Sequence, residues 1–387
     1  MLLENIHILG QRDYSSVIRI TDGFIENISR SDEKYIAAVN DLTIRFKNAV
    51  AFPGLINSHD HLEFNLFPKL GRKIYRDYIE WGDDIHQTHK SLIGKIQKIP
   101  YGLRYLYGLY KNLITGVTTV VHHGNGDAFQ FDNLPDVHIN YNYLHSTRLQ
   151  NKWKLKLNLL PEGSPFLIHT GEGTNEESSG EVTDLLKWNL FRRDLIGIHG
   201  ISLNETQSKK FKAIVWCPDS NLFLYNKTAD ISNIKKYTDI LFGTDSNVSS
   251  DWNIWNHIRL AKKLAYLNDI ELFESLTLTP AKTWNLGTKG KLNKGGTADI
   301  VVTRRKSRND FESFYAINPD DILLIVKNGK PVFIDEELSI NHSQLNTINF
   351  EKISINNSKK FITTGIIGLM KTIKNYLPDY NFPFSVG

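Results

Sequence analysis

Short apolar runs alternating with stretches of helical periodicity constrain this chain more than any other feature. They are Val50 to Ile56, Val117 to Val121, Phe166 to His169, Leu195 to His199, Ile214 to Cys217 and Ile240 to Gly243. Strands separated by helices predict parallel βαβ units, which place chemistry at the C-terminal ends of the strands. Most of these runs close on a polar side chain: His59 and His61, His122, His169, His199, Asp245. Imidazoles and a carboxylate recurring at strand ends predict one shared site.

The two ends of the chain read differently. Ser16 to Ile20 and Phe24 to Ile28 alternate across an Asp22-Gly23 turn signal, and Ile322 to Val326 leads through Asn328-Gly329 into Pro331 to Phe333. We therefore expect residues 1–50 and 289–340 to form one small β-sandwich domain and residues 51–288 a barrel. Residues 341–387 read as a C-terminal extension with an amphipathic helix, because Phe361, Ile362, Ile366, Leu369, Met370, Ile373 and Leu377 share a helical face. Lysines opposite that face suit a membrane surface, but packing on the parent domain is the expectation. In the middle, Val137 to Leu144 reads as a strand, and the alternation of Trp153, Leu155, Leu157 and Leu159 suggests another.

Composition narrows the partners. The 46 Lys and Arg against 42 Asp and Glu are scattered, which argues against nucleic acid. No run approaches the ~18 apolar residues of a membrane span. A lone cysteine excludes a disulfide framework and a cysteine-rich zinc site. The N-terminal residues lack the pattern of a signal peptide, so a cytoplasmic location is expected.

His59 and His61 follow a buried run and, being two apart in extended chain, can point at one cation. His169 also ends a strand; Glu172, three residues on, can sit beside a metal without binding it, as a proton shuttle does. Asp245 can ligate a metal and accept a proton from its water. His122 and His123 follow the second strand, and one of them should face the barrel mouth. Arg148 is a candidate grip for an anionic group, with a surface ion pair as the bland reading. Phe64, Phe67, Tyr75, Tyr78 and Trp81 could stack on a flat ring or fill loop core.

The chain resembles the amidohydrolase superfamily, in its branch of metal-dependent deaminases and chlorohydrolases. The resemblance rests on Pro53-Gly54-Leu55-Ile56-Asn57 with His59-Asp60-His61, on Gly116 to Val120, on His169-Thr170-Gly171-Glu172 and on Ile198 to Leu203. It continues through Cys217-Pro218-Asp219-Ser220-Asn221-Leu222, Gly243 to Ser246, Thr279-Pro280-Ala281 and Gly295 to Val302, and spans roughly residues 1 to 335. It implies an α/β fold, a distorted (β/α)8 TIM barrel with one divalent metal at its mouth. The implied metal is zinc, with iron(II) as the alternative. Carried over by motif, the ligands are His59, His61, His169 and Asp245, with Glu172, His199 and Asp245 catalytic. His123, Arg148 and His199 are the substrate-binding candidates. The chain departs from the family between Val121 and Phe166, where about forty residues stand in for two strands and three helices, so one βα unit looks eroded.

The expected activity is hydrolytic deamination of a small amino-substituted nitrogen heterocycle. Asp245 would accept the proton of the attacking water, His199 would hold that water, and Glu172 would protonate the ring nitrogen. The alternatives are amide, cyclic amide or carbon–halogen hydrolysis at the same centre, or a catalytically silent relative used for binding. Lys152, Lys154 and Lys156 could support a two-metal site, but the glutamate favours one metal. The expected partner is a small-molecule substrate, with self-association left open.

Overall fold

The computed structural model describes residues 1–11, 15–31, 42–124, 129–159, 163–342, 345 and 347–387. Its centre is a ring of parallel strands. We label them β1 (Leu55–Asp60), β2 (Val117–His122), β3 (Asp136–His138), β4 (Asn142–Tyr143), β5 (Phe166–Thr170), β6 (Leu195–His199), β7 (Ala213–Trp216) and β8 (Asp239–Phe242). Strands β1 to β3 form one parallel sheet and β4 to β8 another. Only residues 139–141 separate β3 from β4, with no helix between them. One continuous segment therefore pairs with β2 through its first half and with β5 through its second, which is how the expected erosion is accommodated. On the opposite side, the His59 carbonyl accepts from the Thr244 and Asp245 amides at 3.1 and 3.0 Å, tying the end of β8 to β1.

Alternation along the strands sorts the core into two layers. Leu167, Ile196, Ile198, Ala213, Val215, Cys217 and Leu241 pack together inside, while Phe166, Ile168, Leu195, Ile214, Trp216, Ile240 and Phe242 face the surrounding helices. Such continuous burial is expected of parallel strands covered on both faces.

Both termini feed one ten-stranded sheet. Its N-terminal members are Leu2–Ile8, Ser16–Thr21, Phe24–Arg30 and Thr43–Pro53; Ile300–Arg304, Ile322–Lys327 and Lys330–Asp335 join from the other end. Asn328 and Gly329, at φ 48° and 77°, build the tight turn their sequence signalled. Phe350–Ile355, Ser358–Thr363 and Ser385–Val386 extend the same sheet beyond Lys330–Asp335.

Two expectations need correction. Trp153–Leu159 is a helix, not a strand: Leu157 is buried while Leu155 and Leu159 are exposed, the outcome of a helical rather than a two-residue period. The C-terminal helix begins at Ile366, not near Ser358. Asn356 and Asn357, at φ 46° and 67°, turn the chain into a hairpin, so Phe361 and Ile362 belong to a strand, and Gly365 at φ 117° separates strand from helix. Ile366, Leu369, Met370 and Ile373 are buried in the main core, and the Tyr110 hydroxyl donates to the Thr364 carbonyl. The helix packs on its own protein. No helix among the described residues is long and apolar enough to cross a membrane.

Candidate metal centre

His59, His61, His169, Glu172, His199 and Asp245 converge at the C-terminal ends of β1, β5, β6 and β8. Their approach is close. His61 Nε2 lies 3.4 Å from His169 Nε2, and Asp245 Oδ1 lies 3.7 Å from His59 Nε2 and 3.8 Å from His61 Nε2. His199 Nε2 stands 3.7 Å from Glu172 Oε1.

Backbone strain aims two of these side chains. Alternation puts Ile196 and Ile198 inside the barrel, so His199 would point outward on a regular strand. Its left-handed φ of 70° turns it back toward His169, and Asp245 has a φ of 58°. Such conformations cost about 1–3 kcal/mol each and persist where the surroundings enforce them.

Hydrogen bonds fix the donor atoms. The His145 carbonyl can only accept, so His169 Nδ1, 3.1 Å away, carries the proton and Nε2 keeps its lone pair for the centre. Asn221 Oδ1, 2.8 Å from His199 Nδ1, fixes that ring in the same way, because the Asn221 amide nitrogen donates to Thr228. Ser220 and Ser249 donate to Asp245 Oδ2 at 2.8 and 2.7 Å, leaving Oδ1 turned toward the histidines.

The electrostatics fit a cation. Burial pushes the His59 ring well below the usual imidazole range, reinforced by His61, and burial does the same to His169, with His123 adding to it. Burial alone would raise Asp245, but His59, His61, His199 and the Ser249 hydrogen bond outweigh it and hold the carboxyl below its ordinary range. Glu172 goes the other way: burial raises it, with His199 opposing and Asp245 assisting. Both ring nitrogens of His59 are buried without a hydrogen bond. Neutral imidazoles, an ionised carboxylate and orphaned buried donor atoms make a coherent ligand set for a divalent metal.

The remaining candidates divide. His123 is buried, its ring centroid 4.5 Å from that of His169, and neither of its nitrogens has a hydrogen-bond partner. It lines a neighbouring cavity with Glu63 and Tyr143 rather than the one that holds Asp245. His122 packs outside the barrel against Tyr105. Arg148 is engaged by Asp77 at 2.8 Å and Glu181 at 3.4 Å and does not line either cavity. Lys152, Lys154 and Lys156 are exposed around the Trp153–Leu159 helix, away from the site.

Several supporting residues escaped the sequence reading. Tyr225 donates to Glu172 Oε1 at 2.8 Å, and His145 joins the cavity wall. The family-like Cys217 to Leu222 motif held the signal for Ser220 and Asn221, but nothing in spacing says what a serine or asparagine will touch. Behind the two β1 histidines, Asp60 accepts from Lys111 at 2.9 Å, Asn112 at 2.8 Å and Asn65 at 2.8 Å, all buried. Lys111→Met should strand the Asp60 charge and destabilise the fold by about 3–5 kcal/mol. Urea unfolding checks this, and Asp60→Asn in the same chain should restore part of the loss.

Glu181 offers a pH test. Burial raises it to about 7 from an ordinary 4.5, against the pull of Tyr78 and Arg148. A carboxyl raised on folding makes the native state bind more protons, so stability falls as pH climbs from 4.5 to about 7. Glu181→Gln should flatten that part of a plot of melting temperature against pH; an unchanged slope would remove Glu181 as its source.

Comparison with known proteins agrees with this geometry. A model of the amidohydrolase family matches residues 162–332. A 5-methylthioadenosine/S-adenosylhomocysteine deaminase of Caldicellulosiruptor saccharolyticus is 26% identical, over 83% of this chain and 89% of that protein. A 5'-deoxyadenosine deaminase of Methanococcus aeolicus is 24% identical, over 87% of this chain and 90% of its own length. Among solved structures, an adenosine deaminase from Xanthomonas campestris with bound zinc superposes with a TM-score of 0.67 at 15% identity, over 97% of both chains. The barrel, the ordered motifs and these relatives are all similar to the amidohydrolase superfamily, whose matched domain spans residues 162–332 of this chain.

Proposed function

We propose that this protein is a metal-dependent hydrolase that deaminates an amino-substituted nitrogen heterocycle of the adenine-nucleoside type. The observation that carries the reading is the division between two buried carboxyls. Asp245 is held ionised among the histidines, while Glu172, off the ligand set, is pushed toward its protonated form. Environments that separate two acids in this way assign a base and an acid. The relatives' substrates favour an adenine ring.

His59, His61, His169 and Asp245 would hold one divalent ion, zinc with iron(II) as the alternative. A bound divalent ion supplies Lewis acidity, bringing the pKa of a water to about 7. Asp245 accepts the proton lost by the attacking water. The His199 ring, fixed by Asn221, orients that oxygen and stabilises the charge that develops on it. Glu172 gives its proton to the ring nitrogen next to the reacting carbon; the proton held by Asp245 then passes to the amine, which leaves as ammonia, and Glu172 takes up the hydroxyl proton as the carbonyl forms. Tyr225 keeps the Glu172 carboxyl turned toward His199. Of the substrate-binding candidates, His199 lines the cavity and is the proposed direct contact, while His123 lines the adjoining cavity and Arg148 is held by Asp77 and Glu181.

The test is ammonia release from adenine nucleosides, cytosine derivatives and aminotriazines, with an amide panel alongside. Adenine nucleosides should lead, and turnover confined to amides would replace deamination with amide hydrolysis.

A further inference from the structure

Between the metal centre and the neighbouring cavity stands an imidazole that neither the motifs nor the mechanism uses. His123 lies beyond Gly116 to Val120, the strand motif that carried the family resemblance. Its amide donates to the Asp60 carbonyl at 2.9 Å, which ties it to the residue between His59 and His61. His122 packs outward against Tyr105, and the next side chain turns inward, onto His59 and His169.

The histidine rings pack as one cluster. The centroids of His59, His61 and His169 stand 4.8, 5.0 and 5.3 Å apart. The His123 centroid stands 5.4 Å from that of His59, 5.5 Å from that of His61 and 4.5 Å from that of His169, which makes it a fourth member of the group. Donor atoms of His59, His123 and His169 all lie within 4.8 Å of one another. Atoms so spaced lie within about 2.8 Å of a common point, and an imidazole nitrogen ligates zinc at about 2.0–2.1 Å, so an inward shift of about 0.7 Å or less per ring brings them onto one ion.

His123 also shares the condition of His59. Both side chains are fully buried, and neither nitrogen of either ring has a hydrogen bond. Buried polar atoms are nearly always paired, so such a set calls for a partner. The Tyr143 ring, 4.6 Å away at 65°, packs on His123 without pairing either nitrogen. A ligand lying in the neighbouring cavity could not touch those nitrogens as the ring stands, because both are shut off from solvent. The space left to them is the one among the histidines. A further neutral imidazole adds a donor without adding charge, and nitrogen donors suit zinc or iron(II) better than magnesium or calcium.

We propose, building on the metal-dependent reading, that His123 is a fifth protein ligand of the ion held by His59, His61, His169 and Asp245 in the substrate-free protein. His123 lines the neighbouring cavity and not the one that holds Glu172 and His199, so the space beside those two stays free for water.

The test strips the full chain with a chelator and reloads it with zinc or cobalt(II) alone, so no substrate is needed. In the cobalt-loaded protein each ligating imidazole contributes one solvent-exchangeable N–H proton signal, displaced far outside the ordinary NMR range. Four such signals are expected in the wild type and three in His123→Phe, which keeps a ring against Tyr143. Chelator competition should show zinc affinity lower by about tenfold or more in that variant. Three signals in the wild type would overturn the proposal, as would unchanged zinc affinity in the variant. A variant that holds zinc normally but binds an adenine nucleoside more weakly would make His123 a substrate contact instead. Should the variant fail to fold, the wild-type signal count decides alone. A wild type that takes up no metal would overturn this proposal and the metal-dependent reading together. Four signals without ammonia release from any substrate would leave His123 a ligand and overturn only the deaminase reading.

Discussion

Glu172→Gln is expected to lower turnover by about 10²–10⁴ while the protein keeps its fold and its metal. The amide matches the carboxylate in size and can still accept the Tyr225 hydrogen bond seen at 2.8 Å. It cannot carry a proton to the ring nitrogen. Glu172 is 6% exposed and raised by burial, which suits the acid role proposed for it. Metal analysis and turnover of wild type and variant, made under identical conditions, decide the point. Loss of metal, or full activity, would remove the shuttle role from this residue.

Asp245→Asn should fail differently. Asp245 Oδ1 faces His59 and His61, and its Oδ2 accepts from Ser220 and Ser249. With its nitrogen turned to the serine hydroxyls, which would have to switch from donating to accepting, the asparagine offers a cation only a neutral oxygen and no proton acceptor. We expect metal affinity to fall at least roughly tenfold to a hundredfold, the range seen when the surroundings of a metal ligand are disturbed, and activity to vanish with the proton acceptor. Competition with a chelator measures the first effect independently of the second. An Asp245→Asn protein that binds metal as tightly as the wild type would show that Asp245 is not a ligand.

Much of the site was legible before the fold was known, because strand-end position and residue chemistry are both written locally. His59, His61, His169, His199 and Asp245 each close an apolar run, and a parallel barrel must gather such ends at one face. What could not be read was tertiary. The inward turn of His199 depends on a positive φ that no propensity predicts for histidine. The roles of Tyr225 and Asn221 depend on where the Pro218–Tyr225 helix lies against the barrel mouth. Arg148 looked available in sequence, and two carboxylates from distant segments occupy it.

At the chain's end, the misreading came from local chemistry. Asn356-Asn357 is a hairpin signal, but apolar residues at helical spacing on either side masked it, and Phe361 and Ile362 satisfied both periods. The eroded βα unit was visible as a shortage of residues. The solution, one segment shared between β2 and β5, follows from hydrogen-bond geometry that spacing does not encode.

The central claim is that one metal, held by three histidines and Asp245, drives hydrolytic deamination. Stripping the purified chain with a chelator and titrating zinc back, while following both bound metal and ammonia release from 5'-methylthioadenosine, tests it most directly. Activity should return in proportion to bound metal and reach its plateau at one equivalent per chain. Activity that survives in the stripped protein, or that needs a second equivalent to appear, would contradict the account.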